Sequence, residues 1–260
     1  MFKIFKYSFF DVFRSRWTIL YFLFFLISSS AMLYFSSNLS KAIASLMNIT
    51  LTITPLISTI FGVMYYYNSR EFVDLLLSQP IKRTNVFFGQ LTGLAFSLIT
   101  GFVLGLLLPF LFYGLLVSSE IWDFTMLLLS GVLLTFIFVS VAFFVSLLNE
   151  DKIKGFGISI LIWLYFAVIY DGMILLFFVS FNDYPLETPA IILTILNPID
   201  LSRVLILLKL DISALMGYTG AVFNQFFGTT LGILLSVTSM FVWIILCFLG
   251  IKSIIKRKDF

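Results

Sequence analysis

Residues 124–148 read FTMLLLSGVLLTFIFVSVAFFVSLL, from Phe124 to Leu148, without one charged side chain. A helix needs about 20 mostly apolar residues to cross the hydrocarbon of a bilayer. This run therefore reads as a membrane span, bounded by Asp123 on one side and Asn149-Glu150-Asp151-Lys152 on the other. Working outward, five further stretches have the same character: 18–37, 51–67, 91–117, 156–181 and 229–251. Backbone polar groups in hydrocarbon must be satisfied within the segment, which makes these spans helices. The runs lack the period-two alternation of membrane β-strands. The expected fold is all-α: one polytopic transmembrane domain covering 1–260, with six transmembrane helices.

Composition agrees. The chain is 61% hydrophobic and 11% charged, with a mean hydropathy of +1.11, whereas soluble domains carry about 25% charged residues. Such a chain has too little polar surface to face water all round, and its 33 phenylalanines suit lipid-facing helix surfaces. The single Cys247 excludes an intramolecular disulfide, and there is no histidine. The commonest metal ligand and general base are thus missing. The eight methionines form no close Met-x-x-Met cluster. No metal site, catalytic set or phosphate-cradling Gly-x-x-x-x-Gly-Lys-Ser/Thr loop is present. The expectation is a non-enzymatic chain with no cofactor of its own. No basic patch interleaved with aromatics points to nucleic acid.

Lys and Arg set the orientation. With the N-terminus inside, Lys3, Lys6, Arg14, Arg16, Arg70, Lys82, Arg83, Lys152, Lys154, Lys252, Lys256, Arg257 and Lys258 fall on the inner side. Only Lys41, Arg203 and Lys209 fall outside. Six spans then return the C-terminus to the cytoplasm.

The first 16 residues are not a typical signal peptide. Phe2, Phe5, Phe9, Phe10 and Phe13 recur at helical spacing, opposite Lys3, Lys6 and Arg14. That pattern predicts an amphipathic helix in the interface; a simple basic flank is the plainer alternative. Short polar connections are expected at 38–50, 118–123 and 149–155, and longer ones at 68–90 and 182–228.

In 68–90, Asn68 and Glu71 have capping-box spacing. Phe72, Leu75 and Leu76 follow as one apolar face, and Pro80 stops the helix. A short amphipathic helix with an exposed break either packs on its own bundle or docks into a groove of a partner. The run Leu75-Leu76-Leu77-Ser78-Gln79-Pro80-Ile81-Lys82-Arg83, followed by Phe87-Phe88-Gly89-Gln90, resembles the signature of ABC-2 type permeases. The resemblance implies an N-terminal elbow helix, six spans and a type V exporter-like architecture. It also implies a coupling helix in this loop that docks on a cytoplasmic ATP-binding subunit. Phe72, Leu75, Leu76, Pro80 and Arg83 would then form the ATPase-coupling element. Where the family often has Gly-Thr before the leucines, this chain has Glu71-Phe72.

Segment 189–208 is apolar, but Asn197, Pro198, Asp200 and Arg203 interrupt it. Charges at a bilayer centre cost about 3 kcal/mol each on insertion scales, so external or re-entrant helices are expected rather than a seventh span. Asn197 suits an N-cap, Pro198 the first turn, and Asp200 with Arg203 an i, i+3 pair. These four shape either a surface cap or a platform for a periplasmic partner. Asp171, in the fifth span, either lines a path or bonds across helices.

The Leu196–Arg203 run, the Asn149–Lys152 turn and Tyr170-Asp171 together resemble the membrane subunits of copper-processing ABC transporters that serve nitrous-oxide reductase maturation. That resemblance spans the chain. It implies a cytoplasmic ATPase, a periplasmic right-handed β-helix protein, a second copy of the chain, and a bacterial inner-membrane location. Alternatives are an ABC-2 exporter of lipid, peptide or drug, and an ATP-independent anchor for a periplasmic maturation factor. Gly89-x-x-x-Gly93, Gly101-x-x-x-Gly105 and Gly228-x-x-x-Gly232 permit close helix contact, most simply within one subunit.

Overall fold

A computed structural model describes residues 1–36, 38–181, 187–209 and 230–257. Among these residues the secondary structure is helical throughout, with no strand. Two short helices precede the third span: α1 (Phe2–Phe13) lies before the first span α2 (Arg16–Phe35), and α4 (Arg70–Leu77) follows the second span α3 (Leu39–Asn68). The third and fourth spans are α5 (Arg83–Phe112) and α6 (Ile121–Leu148). The fifth runs through α7 (Lys152–Leu164), a π-helical turn (Tyr165–Ile169) and α8 (Tyr170–Ser180). Two short helices, α9 (Glu187–Leu196) and α10 (Pro198–Lys209), precede the last span, α11 (Thr230–Arg257). Six helices are long and apolar enough to cross a membrane among the described residues. The all-α, six-span expectation therefore holds.

The spans form a bundle around α6. It is the most apolar span and the most buried, at 67%, and it packs on α3, α5, α7, α10 and α11. Phe138 of α6, Phe166 of the π turn and Trp243 of α11 meet edge to face at mid-bundle, with centroid separations of 6.5 and 5.6 Å. α5 holds α1 and α2 along its other side. Glycines make those contacts close. A Cβ at Gly93 would stand 2.7 Å from Ser8 Cβ and 2.9 Å from the Phe5 carbonyl. At Gly105 it would stand 2.8 Å from Phe25 Cβ. Gly89 meets Ile4. The first two Gly-x-x-x-Gly pairs thus pack within one subunit, while Gly228 lies outside the described residues.

Two expectations are corrected, and a third is refined. The loop at 38–50 is helical from Leu39, because Ala42, Ile43, Leu46 and Met47 present a buried stripe that carries α3 past its polar residues. The third span starts at Arg83 rather than 91, since Val86, Phe87, Gly89 and Gln90 are already buried. The N-terminal helix buries Ile4, Ser8 and Val12 against the bundle, whereas Phe2, Phe10 and Phe13 stay exposed. The expected amphipathic helix is thus present, with part of its length packed on the bundle and Phe5 edge to face with Phe96 of α5. In the segment 182–228, residues 182–186 and 210–228 lie outside the described residues.

Candidate functional site

Two places bring the sequence-predicted residues together, one at each end of the bundle. The first is α4. Its amphipathic face is turned from the expected one. Val73 is buried, and Leu76 and Leu77 pack on the core, while Leu75 is 67% exposed. The inward stripe thus follows 73, 76 and 77, at the i, i+3, i+4 spacing of a helix face. Phe72 stacks on Tyr7 of α1, with ring centroids 4.9 Å apart. Pro80, on the break between α4 and α5, and Arg83, the first residue of α5, are exposed. The capping box does not form. Asn68 ends α3, Ser69 is the N-cap of α4, and no side chain caps it.

What holds this end is a set of contacts the sequence did not announce. The Tyr67 hydroxyl lies 2.7 Å from the Asn149 carbonyl and 3.2 Å from that of Asp151. Lys152 Nζ donates to Asn68 Oδ1 at 3.0 Å, and Arg70 donates to the Glu150 carbonyl at 3.4 Å. The Tyr67 ring sits where a Cβ at Gly155 would be. The α3–α4 junction is therefore clamped to the turn between α6 and α7. Asp151 caps α7 through the Ile153 N–H at 2.9 Å.

The second place is the α9–α10 hairpin. The two helices are bent by 113° at their junction. Asn197, at the bend, donates from Nδ2 to the Phe166 carbonyl at 2.9 Å. Phe166 is the midpoint of the fifth span, so the tip reaches half-way into the bundle. The pair is a sharply bent insert, and α10 packs on α3, α6 and α11. Asn197, Pro198 and Asp200 are buried. They shape the hairpin from within and offer no surface of their own, which corrects the reading as a surface cap.

The local chemistry follows from the sequence. Asn197 Oδ1 accepts from the Ile199 N–H at 3.0 Å, the expected N-cap, and Pro198 opens the helix. Asn197 Nδ2 also reaches Asp200 Oδ2 at 2.9 Å. Arg203 Nη1 then bridges Asp200 Oδ1 at 3.1 Å and Asp171 Oδ2 at 2.9 Å. Asp171 lies about 7 Å along the span from Phe166, by helical rise, so it sits within the hydrocarbon depth. Two carboxylates share one guanidinium there. The Tyr170 hydroxyl adds a bond to the Leu193 carbonyl at 2.7 Å. The π turn lies where Asn197 docks. Such widened turns recur at functional sites, and nothing in Tyr165-Phe166-Ala167-Val168-Ile169 signalled it.

The fold and these two places define a multi-pass helical membrane protein with a short surface helix at one end and a bent helix pair whose tip reaches mid-bundle. The chain is similar to a probable ABC transporter permease protein, NosY, of Stutzerimonas stutzeri, at 25% identity over 277 residues. The match covers 96% of this chain and 94% of that protein. No protein-family profile matches the chain.

Proposed function

We propose that this chain is the membrane permease subunit of an ABC transporter, driven by ATP hydrolysis in a separate cytoplasmic subunit. The observation that carries the reading is α4. This short helix is clamped to the bundle on one face and leaves Leu75 outward, with Pro80 and Arg83 exposed just beyond it. It occupies the place that the ABC-2 resemblance assigns to the coupling helix. The full-length similarity to a probable ABC permease supports the same assignment.

In this proposal the α4 end, where Lys and Arg gather, faces the cytoplasm. The ATP-binding subunit takes Leu75 into an apolar groove. Phe72 transmits its movement to α1 through Tyr7, and the Tyr67 clamp transmits it to α7. At the opposite end, the hairpin residues Asn197, Pro198, Asp200 and Arg203 fix the segment that meets a periplasmic right-handed β-helix protein. Asp171, one-third exposed, is the member of that network placed along a path. The fifth span is only 6% buried within one copy, which favours a second copy as its neighbour. The process served is copper-centre assembly of nitrous-oxide reductase in a bacterial inner membrane. With one cysteine and no histidine, the chain is poor in copper ligands; metal contact belongs to the periplasmic partner.

The test is a gentle-detergent pull-down of the tagged chain from its native membrane, with stoichiometry by native mass spectrometry. Two copies with two ATP-binding chains and a β-helix protein are expected. Two copies with the ATPase alone would sink the copper-processing part of the proposal. Recovery without any ATPase, under conditions that preserve a known ABC complex, would sink the transporter reading.

A further inference from the structure

The helix α1 has three faces, and the third meets the bundle through Tyr7, stacked on Phe72 of α4, while its cations stay exposed. Ile4, Ser8 and Val12 meet α5. Phe2, Phe5, Phe9 and Phe13 form a ladder beside them, with successive ring centroids 6.2, 6.2 and 5.6 Å apart. The third face carries Lys3, Lys6, Tyr7, Phe10, Asp11 and Arg14, which line a cavity of about 620 Å³. Three cations face one carboxylate there, and none of the three has an ion pair among the described residues.

Arg14 also lines a second cavity, of about 450 Å³. Its other walls are apolar: Phe13, Ile19, Phe22, Gly101 and Leu104, with Thr18. The Thr18 hydroxyl donates to the Val12 carbonyl at 2.7 Å, leaving its methyl for the slot. The slot opens between α2 and α5, along two membrane spans. A cationic groove at the end of the bundle and an apolar slot at membrane depth therefore meet at one residue.

We propose that this is a binding site for one anionic phospholipid. Its headgroup lies along the face of Lys3, Lys6 and Arg14, with the phosphate at the Arg14 end, and one acyl chain lies in the slot between α2 and α5. Charge and shape select that occupant together. Free phosphate would use the groove and leave the slot empty. A zwitterionic lipid would bring its own cation against three others. Basic clusters beside a membrane span attract anionic leaflet lipids. The proposal goes beyond the transporter reading and stands without it.

The test uses the full-length protein in gentle detergent and native mass spectrometry, with phosphatidylglycerol or phosphatidylcholine of identical chains. Phosphatidylglycerol is expected to be retained in preference. K3Q/K6Q/R14Q lowers that retention about tenfold or more, and R14K largely keeps it. L104W, which fills the slot at a residue 38% exposed, weakens retention with no change in unfolding temperature. K252Q/K256Q/R257Q removes three exposed cations from the same end and changes nothing. Equal retention of both lipids, or an equal loss in the K252Q/K256Q/R257Q control, would overturn the site. Wild-type retention by L104W would reduce it to a phosphate groove and overturn the lipid assignment.

Discussion

The α9–α10 hairpin and the helix α4 are both short helical inserts between spans, yet the balance of contacts that holds them differs. The hairpin is fixed by polar bonds. Asn197, Asp200, Arg203 and Asp171 satisfy one another, and Asn197 engages the Phe166 backbone at mid-bundle. α4 is held along its length by apolar contacts on one side, where Val73, Leu76 and Leu77 pack, and at its start by the hydrogen bonds of Tyr67 and Arg70 to the 149–151 turn; it leaves Leu75 outward. A buried polar network tolerates little movement, because any displaced group loses its partner in a medium that offers no water. An apolar face slides or tilts at modest cost. Under the proposed function, that difference gives the hairpin the task of anchoring and α4 the task of moving.

That contrast makes ordered predictions. The largest effect is expected for Arg203→Leu, which leaves two carboxylates within the bundle without their shared cation. Thermal unfolding in detergent should show a loss of about 3 kcal/mol, the low end for a partly exposed pair. Near wild-type stability would mean the network does not anchor the hairpin. Asn197→Ala comes next, since it removes an N-cap and two further hydrogen bonds; about 2 kcal/mol is expected. Tyr67→Phe deletes the hydroxyl that ties α3 to the 149–151 turn, and should cost about 1 kcal/mol. Hydrogen exchange should then rise at 68–78 and leave the hairpin unchanged. Smallest is Leu75→Asp, within about 0.5 kcal/mol of wild type, because the side chain is exposed. A large destabilisation there would mean that α4 is as fixed as the hairpin.

The two inserts also differ in how well they could be read from sequence. The spans were legible because hydropathy over some twenty residues averages out local exceptions. At the hairpin, the Asn197-Pro198 break and the Asp200–Arg203 pair were legible because their partners are local. Its depth was not, since the contact that sets it, Asn197 to Phe166, joins residues far apart in sequence. Polar residues in a helical break look the same at a surface and in a buried network. Asp171 drew notice as an intramembrane acid, but its partner emerged only from the fold. For α4, the stripes 72, 75, 76 and 73, 76, 77 are similarly apolar. The bundle, which is external to the helix, chooses between them. The Tyr67 clamp left no mark beyond a run of tyrosines at 65–67. The early start of α3 was hidden by Ser40, Lys41 and Asn48, which masked the stripe beneath them.

The central claim is that α4 receives the work of a separate ATPase. The most direct measurement is ATP hydrolysis by the complex purified through tagged wild-type or Leu75→Asp chain in the same lipid. The account predicts that the wild type brings an ATP-binding subunit with it. Leu75→Asp should lose the ATPase, or its stimulation, while unfolding at the wild-type temperature. A Leu75→Asp complex that assembles and hydrolyses ATP as the wild type does would contradict it.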